Sequence, residues 1–253
     1  MKTYLLDLDG TMYHGTKIIK EAKLFVDYLL ENHIEFYFLT NNATRTKAQN
    51  VKHMLDMGYQ GIEEQHFYTS AMAAASYVKA NYEAKRAYYI GEDGLKEALL
   101  NEGFEIVDED VDFVFVGLDK QANYEKYSVA LKHLLDGAKL VGTNYDRVIA
   151  SENGYKVGNG SIVAMFEYAS GQTSMKIGKP YKAILEGCLK YINKQKDEVI
   201  LVGDNLETDI LLGLNEGVES VLVLSGVHNE QDVERLQIKP NKIINSLTEF
   251  IKK

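Results

Sequence analysis

The run Thr3 to Gly15, T-Y-L-L-D-L-D-G-T-M-Y-H-G, sets Asp7 inside an apolar segment too short for a helix. Tyr4, Leu5, Leu6 and Leu8 have the character of a strand buried in the middle of a sheet. The run then breaks into Asp9-Gly10-Thr11, a turn signal. Asp7 therefore stands at the C-terminal end of a central strand, with Asp9 two positions on. In an open α/β sheet, ligands bind in the crevice beyond those ends. A carboxylate in an apolar strand is costly unless it is paired or binds a metal. A solvated Asp-Gly turn is the plainer reading. A calcium-binding EF-hand loop fails, because Met12 and Ile18 stand where a Gly and an acid are needed.

The rest of the chain repeats the alternation of strand and helix. Ile18 to His33 carries apolar residues at helical spacing, Glu35 to Leu39 is a strand ending in Thr40-Asn41-Asn42, and Thr44 to Met57 is a helix closed by Gly58. Phe67-Tyr68 is a short strand and Ala71 to Ala80 a helix. A fresh strand and helix series follows: strands at Ala87–Ile90, Phe113–Val116 and Lys139–Gly142, and helices at Gly94–Asn101, Tyr124–Leu135 and Ser161–Ala169. The opening pattern then resumes with a helix Tyr181–Ile192, a strand Glu198–Val202 ending in Gly203-Asp204-Asn205, a helix Thr208–Asn215 and a strand Ser220–Leu224; two short elements close the chain. This order predicts an α/β fold with a Rossmann-like parallel sheet and right-handed crossovers. Residues 1–81 and 174–253 are expected to form a discontinuous core domain, and residues 82–173 an inserted α/β domain.

Composition excludes several function classes. The net charge is −9 with no dense basic tract, which disfavours nucleic-acid binding. The six histidines (His14, His33, His53, His66, His133, His228) have no metal-ligand spacing. A single cysteine rules out an internal disulfide and fits a reducing compartment, so a cytoplasmic location is expected. Cys188 falls four residues from both Ile184 and Ile192, a helix core position rather than a catalytic thiol. No signal pattern or membrane-spanning run is present.

Three strand ends thus bring polar residues to one layer: Asp7 with Asp9, Thr40 with Asn41 and Asn42, and Asp204 with Asn205 and Asp209. Lys179 enters just before a helix. Several carboxylates without a cation repel one another; a hard divalent ion such as Mg²⁺ relieves this. Mg²⁺, one Lys, and hydroxyl and amide donors make a set suited to a phosphoryl group. Asp7 is then placed to attack phosphorus and form an aspartyl-phosphate, with Asp9 as acid and base. That role requires Asp9 to be protonated in turn, so burial and Asp7 are expected to raise its pKa. Plainer readings stay open: Thr40 and Asn42 as helix caps, Asp209 as a first-turn acid, Lys179 as a surface lysine.

The segments D-L-D-G-T, T-N-N, G-K-P and G-D-N-x-x-T-D resemble, in order and context, the four motifs of the haloacid dehalogenase superfamily. The inserted domain resembles that family's type C2 cap. The details N-G-S-I, G-T-N-Y-D and G-D-N-x-x-T-D-I resemble the NagD-like phosphatases. The resemblance covers essentially the whole chain. It implies Asp7 as nucleophile, Asp9 as general acid and base, and Asp7, the Asp9 carbonyl and Asp204 as Mg²⁺ ligands. Thr40, the Asn41 backbone and Lys179 match the phosphate grip, with Asn42 and Asn205 beside it. Asp209 matches the acid that orients Lys179 or metal-bound water. The acid at Asp9 favours phosphoester hydrolysis, since the family's transport ATPases carry Thr there and its dehalogenases no acid.

The implied activity is hydrolysis of small phosphomonoesters, such as sugar phosphates or nucleoside monophosphates. A phosphotransferase and a catalytically idle phospho-ligand sensor are the rivals. In the inserted domain, Asn144 and Asp146 follow a strand, and Gly158-Asn159-Gly160-Ser161 opens a helix whose free N–H groups are candidates for an anionic or polar ligand. Tyr145 is a candidate to stack on a base or sugar, or simply to pack. The resemblance allows a homodimer, although no apolar stripe in the sequence demands one.

Overall fold

The computed structural model describes residues 2–151 and 154–251. The chain divides into two compact units. The first holds the segments up to Thr40, Lys47–Tyr68 and from Lys179 onward; the second holds Asn41–Thr46 and Thr69–Gly178. The helix Ser70–Asn81, which the sequence reading gave to the core, groups with the second unit, where it packs on the helix Asp93–Asn101.

In the first unit, one six-stranded sheet runs in the order Lys242–Ile244, Ser220–Val223, Val199–Gly203, Thr3–Leu6, Phe36–Thr40, Phe67–Thr69. Thr3–Leu6 lies parallel between two partners, with Leu6 opposite Val202 on one side and Phe38 on the other. That register sets the residues after Leu6, Val202 and Phe38 at one end of the sheet. Successive crossovers leave Thr3–Leu6 in opposite directions, so the strand borders the topological switch point where such folds bind ligands. The strand residues are apolar because both faces are covered. The helix Lys20–Glu31 buries Ala22, Phe25, Val26 and Leu29, spaced three and four apart. Phe25 meets Tyr4 edge-on, with ring centroids 5.2 Å apart, and stacks on Phe250 at 5.3 Å. Cys188 is buried in the helix Lys182–Ile192, and burial pushes its thiol up to about 12, so it is inert at neutral pH.

The second unit has its own parallel sheet, in the order Met175–Lys176, Lys139–Gly142, Phe113–Val116, Arg86–Ile90, Glu105–Ile106. Val114, Val116, Leu140, Val163 and Phe166 are at the centre of its core. Both sheets are parallel and helix-covered, as the alternating pattern predicts. Two antiparallel strand pairs were not expected: Tyr13–His14 with Lys17–Ile18, and Val148–Ser151 with Gly154–Val157. Their strands are too short or too exposed to leave a periodic apolar signal. The expected helix Thr208–Asn215 opens instead as a π-helical turn, Leu206–Ile210, before the α-helix Leu211–Glu216.

Candidate active site

Three carboxylates converge beyond the sheet's C-terminal edge. Side-chain oxygens of Asp7, Asp204 and Asp209 all lie within 4.8 Å of one another. Asp7 follows Thr3–Leu6 directly, its N–H donating to the Val202 carbonyl at 2.9 Å. Asp204 follows Val199–Gly203, and Asp209 sits in the π-helical turn beyond it. Such turns insert an extra residue and are frequent at functional sites.

Lys179 closes the cluster. Its ammonium donates to Asp7 Oδ1 at 2.5 Å, Asp209 Oδ1 at 2.6 Å and the Leu39 carbonyl at 2.8 Å. With a side chain 3% exposed, it is a buried ion-pair partner and not a surface lysine. Burial alone would push the ammonium down; Asp209 and Asp7 outweigh it and hold it above the ordinary lysine value. Asp209 is buried, with Oδ2 accepting the Asn205 N–H at 3.2 Å. It therefore orients Lys179 and is more than a first-turn acid.

Asp7 remains 12% exposed, and its Oδ2 accepts no hydrogen bond among the described residues. Burial raises its pKa well above the carboxylate norm; Lys179 opposes this, while Asp209 and Asp204 add to it. Asp204 is 1% exposed and is pushed up to about 7, first by burial and then by Asp209. Thr11 Oγ1 donates to its Oδ1 at 3.3 Å and the Val227 N–H to its Oδ2 at 2.7 Å. Gly10 leaves room for it: at φ +91° it lies in the left-handed region, and a Cβ there would fall 2.3 Å from Asp204 Oδ2. Three acids against one buried cation leave excess negative charge in an all-oxygen donor set. That set fits a hard divalent cation.

The other predicted residues fall into place unevenly. Asp9 is exposed rather than buried, because the Asp9-Gly10 turn carries it off the sheet; the Tyr13 hydroxyl donates to its Oδ2 at 3.5 Å. The burial expected of Asp9 is therefore absent. Thr40 is buried at the end of Phe36–Thr40. Asn42 Oδ1 accepts from the Thr44 N–H at 3.0 Å and its hydroxyl at 2.7 Å, shaping the loop rather than capping the helix at Lys47. Asn205 caps the π-helical turn by accepting the Glu207 N–H at 2.9 Å.

In the second unit, Asp146 Oδ2 accepts both the Asn41 amide at 3.0 Å and the Asn144 amide at 2.5 Å. The helix at Asn159 is not an open anion site. The Gly158 and Gly160 N–H groups donate to Arg147 and Asp146 carbonyls, and the Asn159 amide to Val116 and Asn144 carbonyls. Tyr145 spends its hydroxyl on the Met175 carbonyl at 3.1 Å, with Lys176 over its ring. Sequence reasoning gave no role to Thr11, although it lies in the D-L-D-G-T run, and missed Val227 and His228, since contacts made by backbone or by a lone His carry no motif.

Comparison with known proteins decides the family. A haloacid dehalogenase-like hydrolase model matches residues 4–105, and a HAD-hydrolase-like model matches residues 176–250. The chain is 38% identical over 250 residues to the 5'-nucleotidase YutF of Bacillus subtilis, covering 99% of this chain and 97% of that protein. It belongs to the haloacid dehalogenase-like hydrolases. Within them it is NagD-like: NagD of E. coli superposes with a TM-score of 0.90 at 31% identity, covering 99% and 98% of the two chains. The chain is also 39% identical to an acid sugar phosphatase of Staphylococcus epidermidis over 94% of its length and 92% of that protein's. A p-nitrophenyl phosphatase from Archaeoglobus fulgidus superposes with a TM-score of 0.90 at 29% identity, covering 97% and 96%. Among the described residues of this hydrolase, no helix is long and apolar enough to cross a membrane.

Proposed function

We propose that this hydrolase is a Mg²⁺-dependent phosphatase of small phosphomonoesters, sugar phosphates and nucleoside monophosphates among them, acting through a phosphoenzyme on Asp7. The carboxylate trio of Asp7, Asp204 and Asp209 around buried Lys179 carries the reading. The names borne by its relatives, 5'-nucleotidase, acid sugar phosphatase and p-nitrophenyl phosphatase, support the substrate class.

Asp7, the Asp9 carbonyl and Asp204 would hold the ion, which supplies charge neutralisation where carboxylates meet phosphoryl oxygens. Asp7 Oδ2, which lacks a donor, attacks phosphorus as the ester P–O bond breaks, and the Asp9 carboxyl gives its proton to the leaving alkoxide. Water then attacks the aspartyl-phosphate. Asp9 takes the water's proton, inorganic phosphate leaves, and the Asp7 carboxylate returns. Lys179, fixed by Asp209, orients Asp7 and adds positive charge beside the transferring group, with Thr40, the Asn41 backbone, Asn42 and Asn205 as the remaining phosphate contacts. The inserted residues 82–173 resemble the family's C2 cap, and Asn144 and Asp146 are its candidate contacts to the leaving group. A homodimer belongs to the same proposal, and light scattering tests it.

The experiment is phosphate release from sugar phosphates, nucleotides and p-nitrophenyl phosphate, run with Mg²⁺, with chelator, and with Asp7→Asn. We expect metal-dependent release that Asp7→Asn abolishes. Release that survives Asp7→Asn at the wild-type rate would remove the covalent step; no release from any ester would remove the phosphatase reading.

A further inference from the structure

The strand Ser220–Val223 runs beside Val199–Gly203, which delivers Asp204, and the chain continues through Ser225-Gly226-Val227-His228. We propose that this Ser225–His228 loop is a positioning element for the Asp204 carboxylate, with the His228 imidazole as its anchor, and that it sets the protein's affinity for a divalent cation. The inference rests on the reading of Asp204 as a metal ligand given above.

Two successive N–H groups of the loop grip one residue at both ends. Val227 donates to Asp204 Oδ2 at 2.7 Å, and His228 donates to the Asp204 backbone carbonyl at 3.2 Å. The buried imidazole then reaches past Asp204. Its Nδ1 accepts the Leu206 N–H at 3.1 Å, while Nε2 lies 3.9 Å from a Glu207 carboxylate oxygen. Leu206 opens the π-helical turn that carries Asp209. The first N–H groups of any helical turn lack an acceptor within it. Asn205 serves Glu207, and His228 serves Leu206, so one side chain fixes the segment that separates the two acids.

The loop is also tied to the opposite wall, since Ser225 Oγ donates to the Gly10 carbonyl at 2.9 Å. Gly226 passes so near the carboxylate that a Cβ there would fall 2.0 Å from Asp204 Oδ2 and 2.4 Å from its Cγ. Any side chain at 226 must therefore displace the carboxylate or the loop. A ligand aspartate with both oxygens already engaged is held in one orientation, and partners that orient metal ligands typically govern affinity by about 10–100-fold.

A histidine that only fills space predicts something different: its loss lowers the melting temperature and leaves metal affinity alone. The test is calorimetric titration of the full-length, chelator-stripped protein with Mg²⁺, with the melting temperature and the steady-state constants recorded beside it. We expect His228→Ala and Gly226→Ala each to raise the Mg²⁺ dissociation constant about tenfold or more. His228→Asn, whose Oδ1 accepts where Nδ1 did, should return to within about threefold of wild type. At saturating Mg²⁺ the variants should regain most of their kcat, so that the deficit lies in metal binding. If His228→Ala does not fold, Gly226→Ala carries the test. Variants that melt lower yet bind Mg²⁺ as wild type does overturn the inference. A wild-type protein that binds no Mg²⁺ overturns instead the metal reading on which it rests.

Discussion

Replacing Lys179 by methionine removes one charge and little volume. Its ammonium lies 2.5 Å from Asp7 and 2.6 Å from Asp209, in side chains 12% and 4% exposed. At an effective dielectric near 20, each pair is worth about 6 kcal/mol of attraction before the desolvation that opposes it. Breaking a buried pair by deleting one partner typically costs about 3–5 kcal/mol, because the other charge is left uncompensated. Here two partners are left, so Lys179→Met should destabilise the metal-free protein at the upper end of that range. At about 2–4 °C per kcal/mol for a chain of this size, the melting temperature should fall by roughly 10–20 °C.

Thermal unfolding in chelator at pH 8 and at pH 5.5 checks this. Without Lys179, which opposes the rise, the folded-state pKa of Asp7 moves further above the unfolded value. A raised carboxylate makes the folded state bind more protons than the unfolded one, so stability falls as pH rises from the unfolded pKa through the folded one. The deficit should therefore shrink at pH 5.5. Asp209→Asn added to Lys179→Met should recover part of it at pH 8, as two residues in one network do not add. A Lys179→Met protein within about 1 kcal/mol of wild type at pH 8 would refute the claim that the lysine offsets the acid cluster.

Other expectations follow from single sites. Asp204, raised by burial and Asp209 to about 7, opposes folding increasingly as pH rises toward that value, so added Mg²⁺ should raise the melting temperature more at pH 8 than at pH 5.5, and Asp204→Asn should remove the difference. His66 has its pKa lowered by burial; its ring stacks on Phe36 at 4.8 Å and its Nδ1 accepts the Glu63 N–H at 2.9 Å. Its contribution is full above the unfolded value near 6.5 and is lost as pH falls through the lower folded value, so denaturant titrations should show His66→Phe flattening that decline. Gly94→Ala brings a Cβ to 2.3 Å from the Arg45 carbonyl oxygen and 2.7 Å from that of Ala43, rigid backbone atoms both; it should cost about 1–3 kcal/mol by urea unfolding.

Legibility in the sequence tracked the range of the force responsible. The central strand, the helices at Lys20–Glu31 and Tyr124–Leu135 and the parallel sheets were visible, because each buries a periodic apolar face of its own. The acid cluster was visible too, since an Asp at the end of a buried strand has few stable uses. What stayed hidden depends on partners distant in the chain. The allegiance of Ser70–Asn81 to the second unit is a packing decision. The π-helical start at Leu206 depends on an acceptor, His228, that lies 22 residues later. The exposure of Asp9 was hidden for a different reason: the run around it reads as a buried strand, but the chain turns at Gly10 and leaves Asp9 exposed.

The hidden part has a common logic. Gathering Asp7, Asp204 and Asp209 within 4.8 Å is unfavourable in the free protein, and Lys179 offsets only one charge. Protonation is the easy escape, and the raised pKa values of Asp7 and Asp204 show the site leaning toward it. A site that must stay ionised to bind a cation therefore needs its carboxylates held by donors that cannot turn away. Backbone N–H groups meet that need better than flexible side chains, since the main chain fixes their direction. Val227 holds Asp204 in this way and Asn205 holds Asp209, while Gly10 and Gly226 let the backbone come close enough. Those donors leave no composition signature. A motif search finds the acids, and the structure shows why they stay where the chemistry needs them.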